Sequence, residues 1–261
     1  MFENSKRLER FARNFILENK ISAINRAKAL REQEIYSTIN NTVEHVDNFS
    51  LASSAVMALH DLIFTIKDHG LNSWSSISIK MSSLGMDFDE EFCEENLLST
   101  IKLANALCVD LQFDVEGPQT HDFYFRMVNK YDLNSAIQAK SPPSLFPAKP
   151  PRIVKGAYKT KKKYNAEQIK LIMLHFVMHY LAYNNKAIVG THDSKIISGL
   201  PISDKIELQY LHGIKEKDFF NYKVMGFKVR EYIPYGNNWY PYLIRRIKED
   251  PWGKLKMALS V

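Results

Sequence analysis

The residues able to do chemistry in this 261-residue chain stand at the ends of short apolar runs. Lys80 closes SISIK, Asp114 and Glu116 fall in FDVEG, and Gln138 closes AIQ. Arg152, Lys155 and Tyr158 bracket RIVKGAY, while Thr191, His192 and Asp193 follow AIVG. Glu207 and Gln209 alternate in ELQYL, and Tyr232 ends FKVREY. Each, taken singly, could equally be a solvated loop residue or a salt-bridged barrel plug. Arg245 and Arg246, in IPYGNNWYPYLIRRI, add a guanidinium pair. Two guanidinium forks can grip one carboxylate and fix the orientation of a small acid, although an exposed basic helix face has the same sequence.

The elements that must position these groups follow from periodicity. Eight runs have the length and bounding residues of strands, at 35–39, 77–81, 108–115, 136–140, 152–156, 187–191, 207–211 and 227–232. Helical periods occupy 55–69, 91–107, 121–131, 166–183, 216–224 and 239–249. Strands alternating with helices give βαβ units around a parallel sheet. Eight of them predict an α/β protein with a (β/α)8 TIM-type barrel over residues 34–261. An N-terminal helical segment, 1–33, carries two amphipathic flanking helices at 5–18 and 21–32. In such a barrel the C-terminal strand ends form one pole where active sites are built, so the polar residues above would converge there. The stretch 141–151 holds five prolines and no helical period, so the fourth unit is expected to shrink to a loop.

Composition narrows the classes further. With 45% hydrophobic and 25% charged residues, the chain is neither a disordered nor a membrane-spanning type. A net charge of +6 favours anionic partners but is modest for nucleic-acid binding, which is not expected. The charged N-terminus lacks the apolar core of a secretory signal. Cys93 and Cys108 cannot make a disulfide framework or a zinc site and read as reduced, buried thiols of a cytoplasmic protein. The apolar stretch 171–182 contains His175 and His179 and is shorter than the ~20 residues a spanning helix needs. Those histidines have metal-compatible spacing but no third ligand nearby, so no metal is expected. The run KTKKK, 159–163, reads as a solvated loop or as a site for phosphate or anionic lipid. Gly190 is consistent with a close backbone approach to a ligand.

Taken together, the ordered blocks resemble the proline dehydrogenase family, FAD-dependent barrel enzymes that oxidise proline. The pattern Tyr232, Pro234, Tyr235, Gly236, Trp239, Tyr240 and Arg245-Arg246 is similar to the family's eighth strand and helix. SIKMSSLG around Lys80, FDVEG around Asp114, Gln138-Ala139, RIVKGAY from Arg152, THD from Thr191 and ELQYLHG from Glu207 agree in order, over roughly residues 75–250. The resemblance implies oxidation of L-proline to 1-pyrroline-5-carboxylate in proline catabolism, with FAD as cofactor and a quinone or other acceptor for the electrons. It implies that Arg245, Arg246 and Lys80 hold the proline carboxylate. Tyr232 and Leu211 would pack on the pyrrolidine ring, and Asp114 would orient Lys80 or Tyr232. The implied flavin contacts are Gln138, Arg152, Lys155, Gly156, Ala157, Thr191, His192 and Gln209, with Arg152 beside N5 and Glu249 near the cofactor edge. This set suits hydride loss from the carbon next to nitrogen, which needs a pinned ring, an immobilised carboxylate and a nearby cation.

The chain departs from the family where Lys140 leads straight into the proline-rich loop, in place of an aromatic residue and a basic-polar turn. A compact, monofunctional version with a more open cofactor pocket is expected, without a second domain for onward oxidation. A flavoenzyme for another cyclic secondary amine and a non-catalytic flavin-binding barrel are the alternatives, and a basic RNA- or membrane-associated barrel without flavin is a more distant one. Peripheral association with the inner face of a membrane and homo-oligomer formation are left open.

Overall fold

The computed structural model describes residues 2–143, 147–156, 158, 160, 162–183, 185–240 and 244. Eight strands run in chain order: β1 (Tyr36–Asn41), β2 (Ser75–Lys80), β3 (Asp110–Asp114), β4 (Ala136–Gln138), β5 (Arg152–Val154), β6 (Ala187–Gly190), β7 (Ile206–Leu211) and β8 (Lys228–Tyr235). Every ladder is parallel, in the order β3-β2-β1-β8-β7-β6-β5-β4, and β1 pairs with β8 from Tyr36↔Arg230 to Asn41↔Tyr235. The helices α1 (Phe2–Ala12), α2 (Lys20–Glu32), α3 (Phe49–Asp68), α4 (Glu90–Leu107), α5 (His121–Tyr131), α6 (Ala166–Ala182), α7 (Ser194–Ile197) and α8 (Glu216–Val224) complete a (β/α)8 barrel. Side-chain caps start several of them. Asn48 accepts the Leu51 N–H, Asp89 accepts the Phe92 N–H, and Asn165 with Gln168 forms a reciprocal capping box.

Period-two alternation divides each strand's side chains between two environments. Outward residues such as Ile77, Ile79, Phe113, Ile153, Val189, Leu208 and Ile233 form the core beneath the helices. The barrel lumen is polar, unlike the branched apolar layers usual for this fold. At its lower end Arg230 Nε donates to Glu207 Oε1 at 2.7 Å, and Gln209 Nε2 donates to the same oxygen at 2.8 Å. Burial raises the Glu207 carboxyl, but Arg230 outweighs it and leaves the group below the ordinary carboxylate range. Higher up, the Thr38 and Ser76 hydroxyls bond at 2.9 Å.

The seam between β3 and β4 is built differently. Phe113 N–H donates to Asn134 O at 2.8 Å, which is the first rung of a parallel ladder. The next rung would join Ala136 N–H to Phe113 O. The Tyr124 hydroxyl stands between them instead, accepting from Ala136 N–H at 2.8 Å and donating to Phe113 O at 2.7 Å. Gln138 continues the closure with its Nε2, which donates to Val115 O and Glu116 O.

The N-terminal segment is tied to the end of β8. Leu17 N–H donates to Pro234 O at 2.9 Å and Leu17 O accepts from Gly236 N–H at 3.0 Å. Arg13 donates to Gly236 O, and Ala12 and Ile16 form a small apolar cluster with Leu8, Phe11, Phe15 and Trp239. Gly213, at φ +74°, passes so close to Asn14 O that a Cβ would overlap it.

Several boundaries differ from the sequence expectation. The first helix ends at Ala12, well short of residue 18, and α3 starts at Phe49, six residues before 55. β1 extends to Asn41, whereas β4 and β5 each have three residues. Cys93 is buried, but Cys108 is exposed as the left-handed C-cap of α4, so the expectation of two buried thiols holds for one. Among the described residues no helix lies between β4 and β5. Of the helix expected over 239–249, most lies outside the described residues.

Candidate active site

The C-terminal strand ends bring two of the expected substrate-binding residues, Lys80 and Tyr232, and one expected flavin contact, Arg152, together around the Asp114 carboxylate. Asp114 ends β3 in register with Lys80, the last residue of β2. Lys80 Nζ lies 3.3 Å from Asp114 Oδ2, and the Tyr232 phenol donates to that oxygen at 2.7 Å. Arg152, from β5, donates from Nη2 to Asp114 Oδ1, and its guanidinium carbon sits 5.3 Å above the Tyr232 ring centre. The side chains of Lys80, Asp114 and Arg152 are 11%, 14% and 8% exposed. Two cations flank one carboxylate in a largely buried mouth, an arrangement that suits an anionic ligand. Leu211 ends β7 opposite Tyr232 and gives the mouth an apolar wall.

A second cluster lines the mouth on the side of β4 to β7. Gln138 Nε2 is held by the Val115 and Glu116 carbonyls, so its Oε1 faces the other way, buried and without a hydrogen-bond partner among the described residues. Gly156 has φ +103°, and a Cβ there would come within 2.6 Å of Gln138 Oε1. Gln209 Oε1, from β7, is likewise buried without a partner among the described residues. Gly190 pairs with Val154, and a Cβ there would stand 3.0 Å from Val154 Cγ1. Two orphaned buried amide oxygens on this face call for an N–H donor from a ligand, and the imide N–H of a flavin ring fits that acceptor set.

The remaining expected contacts form a rim. Lys155 Nζ donates to Asp193 Oδ2 at 2.6 Å, and Asp193 caps α7 through Lys195 N–H. Burial pushes the Asp193 carboxyl up, but Lys155 reverses this and holds it below the ordinary range. Thr191 Oγ1 accepts the Asp193 N–H at 3.2 Å. His192 Nε2 accepts the Leu211 N–H at 2.9 Å, which places the proton of the neutral ring on Nδ1. Glu116 lies just outside the mouth, where Ser82 donates to both its oxygens and burial raises its carboxyl above the ordinary range. Ala157, Arg245, Arg246 and Glu249 lie outside the described residues.

Two features escape the sequence reading. Asn40, placed after the first strand by the 35–39 boundary, lies within β1 with its Oδ1 3.3 Å from Lys80 Nζ. Outside the mouth, Glu231 is fully buried beneath α2 and accepts from Arg26, Tyr210 and His212, with Glu216 3.1 Å from Arg26. His212, Glu216 and Glu231 are close enough to share a metal ion, but the Arg26 guanidinium already occupies the acidic groups.

Known proteins resemble this chain over most of its length. Proline dehydrogenase 2 of Bacillus subtilis (strain 168) is 29% identical over 260 residues, covering 88% of this chain and 83% of its own. Proline dehydrogenase 1 of the same strain is 29% identical over 265 residues, covering 92% and 87%. Proline dehydrogenase of Deinococcus radiodurans is 25% identical over 271 residues. Among solved structures, proline utilization A from Bdellovibrio bacteriovorus, inactivated by N-propargylglycine, superposes with a TM-score of 0.78 at 16% identity. A proline utilization A variant from Bradyrhizobium japonicum gives 0.73 at 17%. These two likenesses establish the barrel fold, and the chain, 94% and 93% covered, spans about a third of each of those longer proteins. No family model matches the chain.

Proposed function

The chain belongs to the proline dehydrogenase family, and from that premise we propose that it oxidises L-proline to 1-pyrroline-5-carboxylate with FAD, passing the electrons to a quinone or another acceptor. The observation that carries this reading is the Lys80–Asp114–Tyr232–Arg152 constellation at the barrel mouth.

In this reading Lys80, together with Arg245 and Arg246, binds the substrate carboxylate. Asp114 acts beneath them: it fixes the Lys80 ammonium, the Tyr232 phenol and the Arg152 guanidinium at once, so none has to reorganise when substrate arrives. Tyr232 and Leu211 confine the pyrrolidine ring. Gln138, Gln209, Gly156, Thr191, His192 and Lys155, with Ala157 and Glu249, would hold FAD against β4 to β7. Bound there, FAD supplies the two-electron acceptor for a hydride leaving the ring carbon next to nitrogen. The proton on the ring nitrogen leaves to solvent and the product is the cyclic imine. Arg152 lies between the two clusters, where its charge favours the gain of electrons by a neighbouring ring.

The test is a spectrum of the purified, FAD-reconstituted protein before and after anaerobic addition of L-proline, followed by turnover with a dye acceptor. Bleaching of the flavin bands and turnover are expected. Protein that takes up no FAD, or whose flavin stays oxidised under proline, refutes the reading.

A further inference from the structure

Asn40 is 1% exposed and its side chain points into the lumen on the same face of β1 as Thr38. Its amide orientation is settled by its neighbour: Oδ1 accepts from Lys80 Nζ at 3.3 Å, since the opposite orientation would set an N–H against an ammonium. The Nδ2 group is therefore turned the other way, buried and without a hydrogen-bond partner among the described residues. Among the described residues no acceptor on the adjacent strands comes within hydrogen-bond reach of it. Asn40 stands in register with Ser78 on β2, whose hydroxyl lies 3.1 Å from the Tyr232 phenol, and with Pro234 on β8, which has no polar side chain. Below it, Thr38 Oγ1 is engaged with Ser76. A buried donor left unmet is costly, and a ligand that supplies the acceptor removes the cost.

We propose that Asn40 is a substrate-binding residue, whose Nδ2–H donates to a carboxylate oxygen of the bound substrate beside the Lys80 ammonium. The inference rests on the proline reading above and extends it: one neutral amide both fixes the neighbouring cation and contributes a donor of its own. A carboxylate answers both groups, because it offers two acceptor oxygens, one for the amide N–H and one for the neighbouring ammonium. A neutral ring would leave the amide unmet.

The experiment is calorimetric titration of wild-type protein and the Asn40→Leu and Asn40→Ser variants with two ligands. Cyclopentanecarboxylate carries the acid but has no C–N bond to oxidise, and pyrrolidine has the ring without the acid. Asn40→Leu should bind cyclopentanecarboxylate about tenfold or more weakly, the worth of one hydrogen bond to a charged group, while pyrrolidine binding stays within about twofold. KM for L-proline should rise by a similar factor, with kcat changing less. Asn40→Ser, which keeps a shorter donor, should fall between, and it carries the test if the leucine variant does not fold. Equal losses for both ligands, or unchanged carboxylate binding, would overturn the assignment. Wild-type protein that binds neither ligand and does not oxidise proline would instead overturn the proline reading, and the role of Asn40 with it.

Discussion

Replacing Tyr124 with Phe removes one oxygen from the seam of the barrel. That oxygen relays between Ala136 N–H, at 2.8 Å, and Phe113 O, at 2.7 Å, inside a residue that is 1% exposed. Burial lifts the phenol well above its usual range, so it stays protonated and able to donate under all ordinary conditions. Without it, one backbone N–H and one carbonyl lose their partner in a dry environment. An unmet buried donor costs about 1–3 kcal/mol, and the carbonyl adds a smaller share, so Tyr124→Phe should destabilise the fold by about 2–3 kcal/mol. At roughly 2–4 °C per kcal/mol for a chain of this size, Tm should fall by about 4–12 °C. Denaturant unfolding gives the free energy, and hydrogen exchange reports the Ala136 amide directly. A loss below about 0.5 kcal/mol, with the Ala136 amide as protected as before, would mean that β3 and β4 close on each other without the hydroxyl.

The other predictions concern charge. Asp114→Asn leaves Lys80 and Arg152 without their shared counter-ion and should cost on the order of 3–5 kcal/mol together with most of kcat/KM; a double-mutant cycle with Lys80→Met measures the coupling, and additive losses would show that the two side chains act independently. Arg152→Met should lower the flavin potential and slow reduction by proline in protein that still binds FAD, as followed by spectroelectrochemical titration and anaerobic stopped flow; an unchanged potential and rate would remove Arg152 from the flavin's neighbourhood. Burial works to raise Glu231, but His212 and Arg26 hold its carboxyl below the ordinary 4.5. Because the folded value is the lower one, its contribution to stability is present above about pH 4.5 and fades as pH falls through the depressed folded value. The Tm difference between wild type and Glu231→Gln should accordingly shrink on acidification from pH 6 to pH 3, and a constant difference would contradict the assignment.

The barrel was legible because its strands are short apolar runs bounded by polar residues, and Lys80, Asp114, Gln138 and Tyr232 each end or nearly end such a run. Asn40 and Asn41 were not, because asparagine is disfavoured in strands and it is pairing with Ser78, Pro234 and Tyr235 that carries β1 through them. The four residues of α7 are too few for a helical period to register. The Arg26–Glu231 cluster spans 205 residues of sequence and leaves no local spacing to read. Tyr124 is an aromatic residue at helical period, indistinguishable in sequence from a core residue that donates to nothing. The exposure of Cys108 follows from a left-handed turn after α4 that its residue type does not announce.

The tie between Leu17 and the end of β8 sets an order of events during synthesis. Leu17 exchanges backbone hydrogen bonds with Pro234 and Gly236, and β1 itself has no partner on one side until β8 exists. A nascent chain therefore carries Leu8, Phe11, Phe15 and Ile16 uncovered until Trp239 has been translated. At a ribosomal pace of about 5–20 residues per second, that wait lasts on the order of 10–50 seconds, long enough for a holdase chaperone to find the segment and for neighbouring polysomal chains to exchange it. Moving residues 1–19 behind the last strand in a circular permutant would shorten the wait, and with it the window for aggregation in the cell.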